Sequence, residues 1–169
     1  LLIEAALAAF KIAPGIRRRF TAMDWPTVPA AVWKQERERA KEAEQRDAAF
    51  SAWGGDTDAE ALRLAAENAD KAGVGGCLTA VRADLRNFRP EGESGTVLCN
   101  PPYGERLLDI RQAEELYRVM GRVFRPRKGW SYAIISPHED FEALFGRPAD
   151  KRRKLYNGML KCQLYMYFR

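Results

Sequence analysis

The chain has a single histidine, His138, and only three cysteines, Cys77, Cys99 and Cys162, set far apart. That scarcity excludes the Cys and His spacings of a zinc site, and no metal is expected. An odd count of well-separated thiols is no disulfide framework, so the cysteines read as reduced thiols of a cytoplasmic protein. Long apolar runs are missing too. The longest, Leu1 to Phe10, carries Glu4 and is the size of one helix, which excludes a membrane span. Its charged neighbours follow the apolar part instead of preceding it, unlike a secretory leader. A net charge of +5 on 169 residues permits a polyanionic partner without demanding one.

Two features are absent at the front. There is no initiator Met, and Leu1-Leu2-Ile3-Glu4-Ala5-Ala6 already reads as helix interior with no N-cap before it. No glycine-rich turn follows a strand there either, and the cluster Gly73, Gly75 and Gly76 follows a helix and reads as its C-cap and loop. The chain is therefore expected to be a fragment that begins in mid-helix.

What is present is one domain's worth of ordinary globular composition, 46% hydrophobic and 30% charged. Its chemistry concentrates in one stretch. Thr96 to Cys99 reads as a buried strand that stops at Asn100-Pro101-Pro102-Tyr103, since neither proline can extend a ladder. A residue that precedes proline is pushed to extended geometry, so Asn100 and Pro101 form a stiff loop at the strand's carboxyl end, where open α/β sheets bind ligands. The Asn100 carboxamide and the Pro101 carbonyl offer acceptors, and Tyr103 offers a flat aromatic face. Two acceptors on the hydrogens of an exocyclic amine draw its lone pair out of conjugation with a base, while the tyrosine stacks on that base.

Asn100-Pro101-Pro102-Tyr103, extended as Gly104-Glu105-Arg106-Leu107, resembles the catalytic motif of S-adenosylmethionine-dependent methyltransferases acting on exocyclic amines. The wider string is similar to the bacterial ribosomal RNA guanine-N2 methyltransferases of the large subunit that carry a THUMP domain. Ala13-Pro14-Gly15, Asp24-Trp25-Pro26, Gly55-Asp56-Thr57-Asp58 and Lys154-Leu155-Tyr156-Asn157-Gly158 agree with it. The resemblance implies an α/β fold, a Rossmann-like three-layer sandwich. Its seven strands run in the order 3-2-1-4-5-7-6, with strand 7 antiparallel and strand 1 and its glycine-rich loop missing here. A chain lacking that central strand is expected to be poorly stable alone.

The resemblance also implies the site residues. Asn100, Pro101, Pro102 and Tyr103 would be catalytic, and Asp56 and Thr57 would meet the ribose and adenine of S-adenosyl-L-methionine. Asp84 would accept from the adenine amine and Leu85 would cover the ring. The implied substrate is a guanine in RNA, ribosomal RNA first. Transfer RNA, adenine-N6 methylation of nucleic acid, and a non-catalytic RNA-binding module remain as alternatives. Lys151, Arg152, Arg153, Lys154 and Asn157 form a basic cluster that could grip an RNA backbone or simply guard a sheet edge.

The remaining elements follow from pattern. A helix closes at Ala13-Pro14-Gly15, residues 14–48 are a decoration carrying a charged helix from about Ala30 to Asp47, and Phe50 to Trp53 is a short strand. Thr57 and Glu60 have capping-box spacing before a helix with Leu62, Ala65, Ala66 and Ala69 on one face. Leu78 to Arg82 is a strand and residues 86–95 a polar loop. Ala113, Leu116, Tyr117, Met120 and Phe124 make a core stripe on a helix from about Asp109 to Phe124. Trp130 to Ser136 is a strand, and His138 beyond it reads as a solvated loop residue. Residues 151–169 form a hairpin about Asn157-Gly158, its last strand alternating Cys162, Leu164, Met166 and Phe168 against Gln163, Tyr165 and Tyr167.

Overall fold

The computed structural model describes residues 1–103 and 109–168, so the Gly104 to Leu107 extension of the loop motif lies outside the described residues. Two compact units divide the chain, Leu1–Arg82 and Ala83–Arg169.

In the first unit, α1 (Leu2–Ala9) and α2 (Ala30–Glu42) precede β1 (Ala52–Asp56), α3 (Ala59–Ala72) and β2 (Leu78–Arg82). β1 and β2 run parallel, with Ala52 opposite Leu78 and Asp56 opposite Arg82. Alternation alone ends β1 at Trp53, yet the strand continues through Gly54 and Gly55. A Cβ at Gly54 would meet Leu2 Cδ1 at 2.5 Å, so α1 lies close on the strand and the Leu2 side chain would have to shift for any larger residue there. Ala6, Phe10, Ile12, Ala69 and Val74 form the small core. Asp58, not Thr57, caps α3 by accepting from Glu60 N at 2.8 Å, while Ala65 and Ala66 are exposed. Gly73 ends α3 in the left-handed conformation expected of it, with φ +74°.

The second unit holds β3 (Gly95–Cys99), α4 (Ile110–Val123), β4 (Trp130–Ser136), α5 (Phe141–Phe145), β5 (Lys151–Asn157) and β6 (Leu160–Tyr167). Its sheet order is β3-β4-β6-β5, with β3 parallel to β4 and β6 antiparallel to both of its neighbours. Within this unit the order and directions are those implied for strands 4-5-7-6. Among the described residues β1 pairs with β2 alone and β3 with β4 alone.

The α4 stripe behaves as expected: Ala113, Tyr117, Met120 and Phe124 are buried against β4 and β6. β6 buries residues of both alternating sets, Cys162 as well as Tyr165 and Tyr167. Tyr165 and Tyr167 point into the core, because Tyr165 stacks on Phe141 at 4.4 Å and Tyr167 on Phe145 at 4.7 Å. Their hydroxyls escape unpaired burial by donating to the carbonyls of His138 and Arg147. The helix that supplies those phenylalanines, α5, was not expected from pattern. Phe141 and Phe145, four apart, and Gly146 at φ +80° are its only local signals.

Candidate active site

β3 ends where Pro101 and Pro102, without N–H groups, cannot bond to β4. Asn100 is exposed there, Pro101 is buried, and Pro102 and Tyr103 are partly buried. The loop is braced from the core: Tyr117, fully buried on α4, donates its hydroxyl to the Pro102 carbonyl at 3.3 Å. Past the loop, α4 opens on a capping box in which Asp109 Oδ1 accepts from Gln112 N at 2.8 Å and Gln112 Oε1 accepts from Asp109 N at 3.3 Å. The stiffness read from two prolines is thus completed by Tyr117, fifteen residues beyond Pro102, which no local pattern could reveal.

The carboxamide of Asn100 is already engaged. Tyr103 donates its hydroxyl to Asn100 Oδ1 at 2.5 Å. Burial pushes the Tyr103 hydroxyl above the ordinary phenol range, against the opposing hydrogen bond of Asn157, so it remains a donor at neutral pH. Asn157, at the end of β5, therefore lies against the loop's tyrosine and not simply on the outer surface. The Tyr103 hydroxyl thus bonds the Asn100 oxygen with the Asn157 side chain close by.

Cys99, next to Asn100, packs against the core and its thiol is pushed up to about 11 by burial, which disfavours the thiolate. It is no nucleophile. Cys99 is expected to alkylate with iodoacetamide at pH 8 about a hundredfold more slowly than a small free thiol, as measured by mass spectrometry over time. His138 is also less free than its loop position suggests. Its Nδ1 accepts from Asp140 N at 3.2 Å, its Nε2 lies 3.6 Å from Glu114 Oε1, and its ring meets Tyr117 edge-on. These contacts hold it as a brace beside Tyr117.

The expected cofactor residues fall at strand ends. Asp56 closes β1, is exposed, and accepts from Asp58 N through Oδ1 at 2.9 Å. Thr57 follows it, its carbonyl accepting from Arg82 Nε at 3.2 Å. Asp84 stands two residues beyond Arg82, the register partner of Asp56. Its backbone bond from Arg86 N, at 2.8 Å, chiefly lowers its carboxyl below the usual range, with the Arg86 guanidinium adding to this. Leu85 is partly buried on the second unit's core. Each carboxylate has acceptor positions beyond those its neighbours fill, the chemistry that ribose hydroxyls at Asp56 or an adenine amine at Asp84 would require.

The basic cluster is spread along β5, and its members differ in freedom. Arg152 is tied to Glu142 of α5 in an ion pair, with Nε to Oε1 at 3.0 Å. Lys154 sits 5.2 Å over the exposed Tyr156 ring. Lys151 and Arg153 are exposed. Among the described residues no group of three His, Cys, Asp or Glu could hold a metal ion, and no helix is long and apolar enough to cross a membrane.

Parallel strands joined by helices, an antiparallel strand inserted between β4 and the edge strand β5, and an Asn-Pro-Pro-Tyr loop at a strand's carboxyl end define a Rossmann-like methyltransferase domain. Residues 1–166 match the family model described as "RMKL-like, methyltransferase domain", and the chain belongs to that family. It is 36% identical over 168 residues to the Bacillus subtilis "Putative RNA methyltransferase YpsC", covering 99% of this chain and 44% of that protein. It is likewise 36% identical over 167 residues to a Legionella pneumophila "Ribosomal RNA large subunit methyltransferase K/L", covering 98% of this chain and 24% of that one. Among solved structures, "SMU.472, a putative methyltransferase complexed with SAH" superposes with a TM-score of 0.92 at 40% identity, over 98% of this chain and 44% of that one. The chain thus spans less than half the length of the relatives it matches.

Proposed function

We propose that this domain is the catalytic part of an enzyme that transfers a methyl group from S-adenosylmethionine to the exocyclic N2 amine of a guanine in RNA, large-subunit ribosomal RNA first. The observation that carries the reading is the rigid Asn100-Pro101-Pro102-Tyr103 loop at the end of β3, with an exposed carboxamide and a core-braced backbone. Relatives whose names specify RNA and ribosomal RNA support the substrate class.

The cofactor supplies an electrophilic methyl group when bound. Asp56 and Thr57 would take its ribose and adenine edge, Asp84 the adenine amine, with Leu85 beside the ring. Asn100 Oδ1 and the Pro101 carbonyl would each accept one hydrogen of the guanine amine, turning its lone pair out of the ring plane. Pro102, held by Tyr117, keeps those acceptors in place. The alkylated nitrogen then loses its proton to solvent, so no side-chain base is required. Lys151, Arg153 and Lys154 would contact phosphates, whereas Arg152 would first have to leave Glu142.

For Tyr103 to stack on the base, its hydroxyl must release Asn100 Oδ1. That exchange makes a distinctive prediction. Tyr103→Phe keeps the ring and frees the acceptor, so kcat/KM is expected to match or exceed wild type, by up to about fivefold for one net hydrogen bond. Tyr103→Ala loses the stack and is expected to fall about tenfold or more. Steady-state kinetics on RNA would compare the two.

The test of the function gives the intact protein labelled S-adenosylmethionine and, in parallel, unmodified ribosomal RNA, transfer RNA or DNA, each then digested to nucleosides. Label in N2-methylguanosine that disappears with Asn100→Ala is the expected result. Label in N6-methyladenine would overturn the choice of amine, and RNA binding without transfer would mark a non-catalytic module.

A further inference from the structure

The second unit carries an open groove of about 780 Å³ that the methyl-transfer reading leaves without a task. Five arginines line it: Arg86, Arg89, Arg122, Arg125 and Arg127 all contribute and all are exposed. Glu115 is the one acid in the lining, and it is already paired with Arg122 at 3.1 Å and with Arg118 at 3.5 Å. The residues come from the turn after Asp84, the C-terminal half of α4 and the loop into β4.

Concentrated like charge is unfavourable unless an anion answers it, and guanidinium groups present forked donors that match phosphate oxygens. The groove is built to hold that charge in place. Arg127 donates to the carbonyls of Pro90 and Gly92 and lies 5.7 Å over the Trp130 ring, fixing one wall. The last carbonyls of α4 would repel a phosphate by their partial negative charge, but they are covered. Arg125 Nε donates to the Arg122 carbonyl at 3.0 Å, Arg147 to that of Phe124 at 3.2 Å, and Tyr132 to that of Arg125 at 2.7 Å. The aromatic rings at the groove, Tyr132 and Trp130, are buried, so no face is offered for a base to stack on. An open, base-blind, arginine-lined groove fits a sugar–phosphate chain better than a free nucleotide.

We propose that this groove binds the phosphate backbone of the RNA substrate at a stretch flanking the target nucleotide. The proposal rests on the reading of the domain as an RNA methyltransferase. Its place in the fold sets the geometry: α4 begins at the catalytic loop, and Arg122 is about 18 Å along it from Ile110 at 1.5 Å per residue. The bound stretch is therefore several nucleotides from the methylated base, and its contacts position the strand without reading sequence.

The test uses the intact protein and a fluorescein-labelled single-stranded fragment of ribosomal RNA, with affinity measured by anisotropy across a salt series. Arg89, Arg122 and Arg125 are changed together to Gln, leaving Arg86 on Asp84 and Arg127 on its loop; a second variant changes the same three to Lys. The Gln variant is expected to bind about tenfold more weakly at moderate salt, with the slope of log K against log salt reduced by about 2, while the Lys variant keeps the wild-type slope. An unchanged slope in the Gln variant, with wild-type RNA binding intact, would overturn the groove alone, as would be found if it received an acidic protein instead. Failure of the wild type to bind RNA would overturn both the groove and the substrate reading. If circular dichroism showed the Gln variant to be unfolded, ultraviolet crosslinking of the wild type decides: RNA attached within residues 86–90 or 119–127 supports the groove, and crosslinks confined elsewhere overturn it.

Discussion

Replacing Asn100 with alanine is expected to lower the rate of methyl transfer by about 10²–10³-fold, the scale seen when one positioned hydrogen-bonding group is removed from a reacting centre. The amine of guanine is a poor nucleophile because its lone pair is shared with the ring, and an acceptor on each hydrogen reverses that sharing as the new bond forms. The interaction thus strengthens toward the transition state, so kcat and kcat/KM should fall together while cofactor affinity stays near wild type. The fold should tolerate the change. Asn100 is exposed at a strand end, and its carboxamide accepts from the Tyr103 hydroxyl, which can turn to solvent. Stability is expected to move by no more than about 0.5 kcal/mol. Asn100→Asp, which keeps acceptor oxygens, should retain more activity than alanine. Single-turnover measurements with labelled cofactor would separate the cases, and a loss confined to KM would show that the carboxamide only binds substrate.

The parts of this architecture that were legible from residue order are those whose causes are local. Two prolines after a short apolar run end a strand wherever they occur, and Asn157-Gly158 turns a hairpin by its own backbone preferences; β3 stops at Cys99 and β5 returns as β6 accordingly. The stripe on α4 needs only helical spacing. What stayed hidden depends on partners distant in sequence. Nothing near Arg152 says that Glu142 will hold it, and nothing near Tyr103 says that its hydroxyl will close on Asn100 with Asn157 beyond. The alternation along β6 does not say which set is buried, and it is the aromatic partners supplied by α5 and two waiting carbonyls that bury Tyr165 and Tyr167. The arginine groove was the least legible feature of all. Its members are scattered between Arg86 and Arg127, and only the packing of α4 beside the preceding turn gathers them.

The largest stability effect is expected at Gly121, where helix propensity and packing predict opposite signs. In an exposed helix interior, Gly→Ala gains up to about 1 kcal/mol. On α4 the added Cβ would stand 1.9 Å from the carbonyl oxygen of Phe145 and 2.7 Å from its carbonyl carbon. These are backbone atoms at the end of α5, not the tip of a flexible side chain, so relief requires α5 to move as a body. That movement is resisted by the stacking of Phe141 on Tyr165 and Phe145 on Tyr167, and by the Arg147 guanidinium 4.5 Å over the Tyr167 ring. Overpacking costs of this kind run to about 3 kcal/mol and exceed the propensity gain, giving a net loss of about 2 kcal/mol or more. For a domain of this size that is a fall in Tm of about 4–8 °C, and a smaller one in a longer chain, whose unfolding entropy is larger, read by circular dichroism on the intact protein. Gly76→Ala is the matched control, since a Cβ there meets nothing within 4 Å, and it should leave Tm unchanged. The same displacement would loosen the Glu142–Arg152 pair that ties α5 to β5, and β5 ends at Asn157, the residue that meets Tyr103. Gly121→Ala should therefore also weaken the Asn157 contact at the catalytic loop. A rise in Tm instead would mean that α4 and α5 do not meet backbone to backbone, and the route from the helix pair to the loop would fall with that contact.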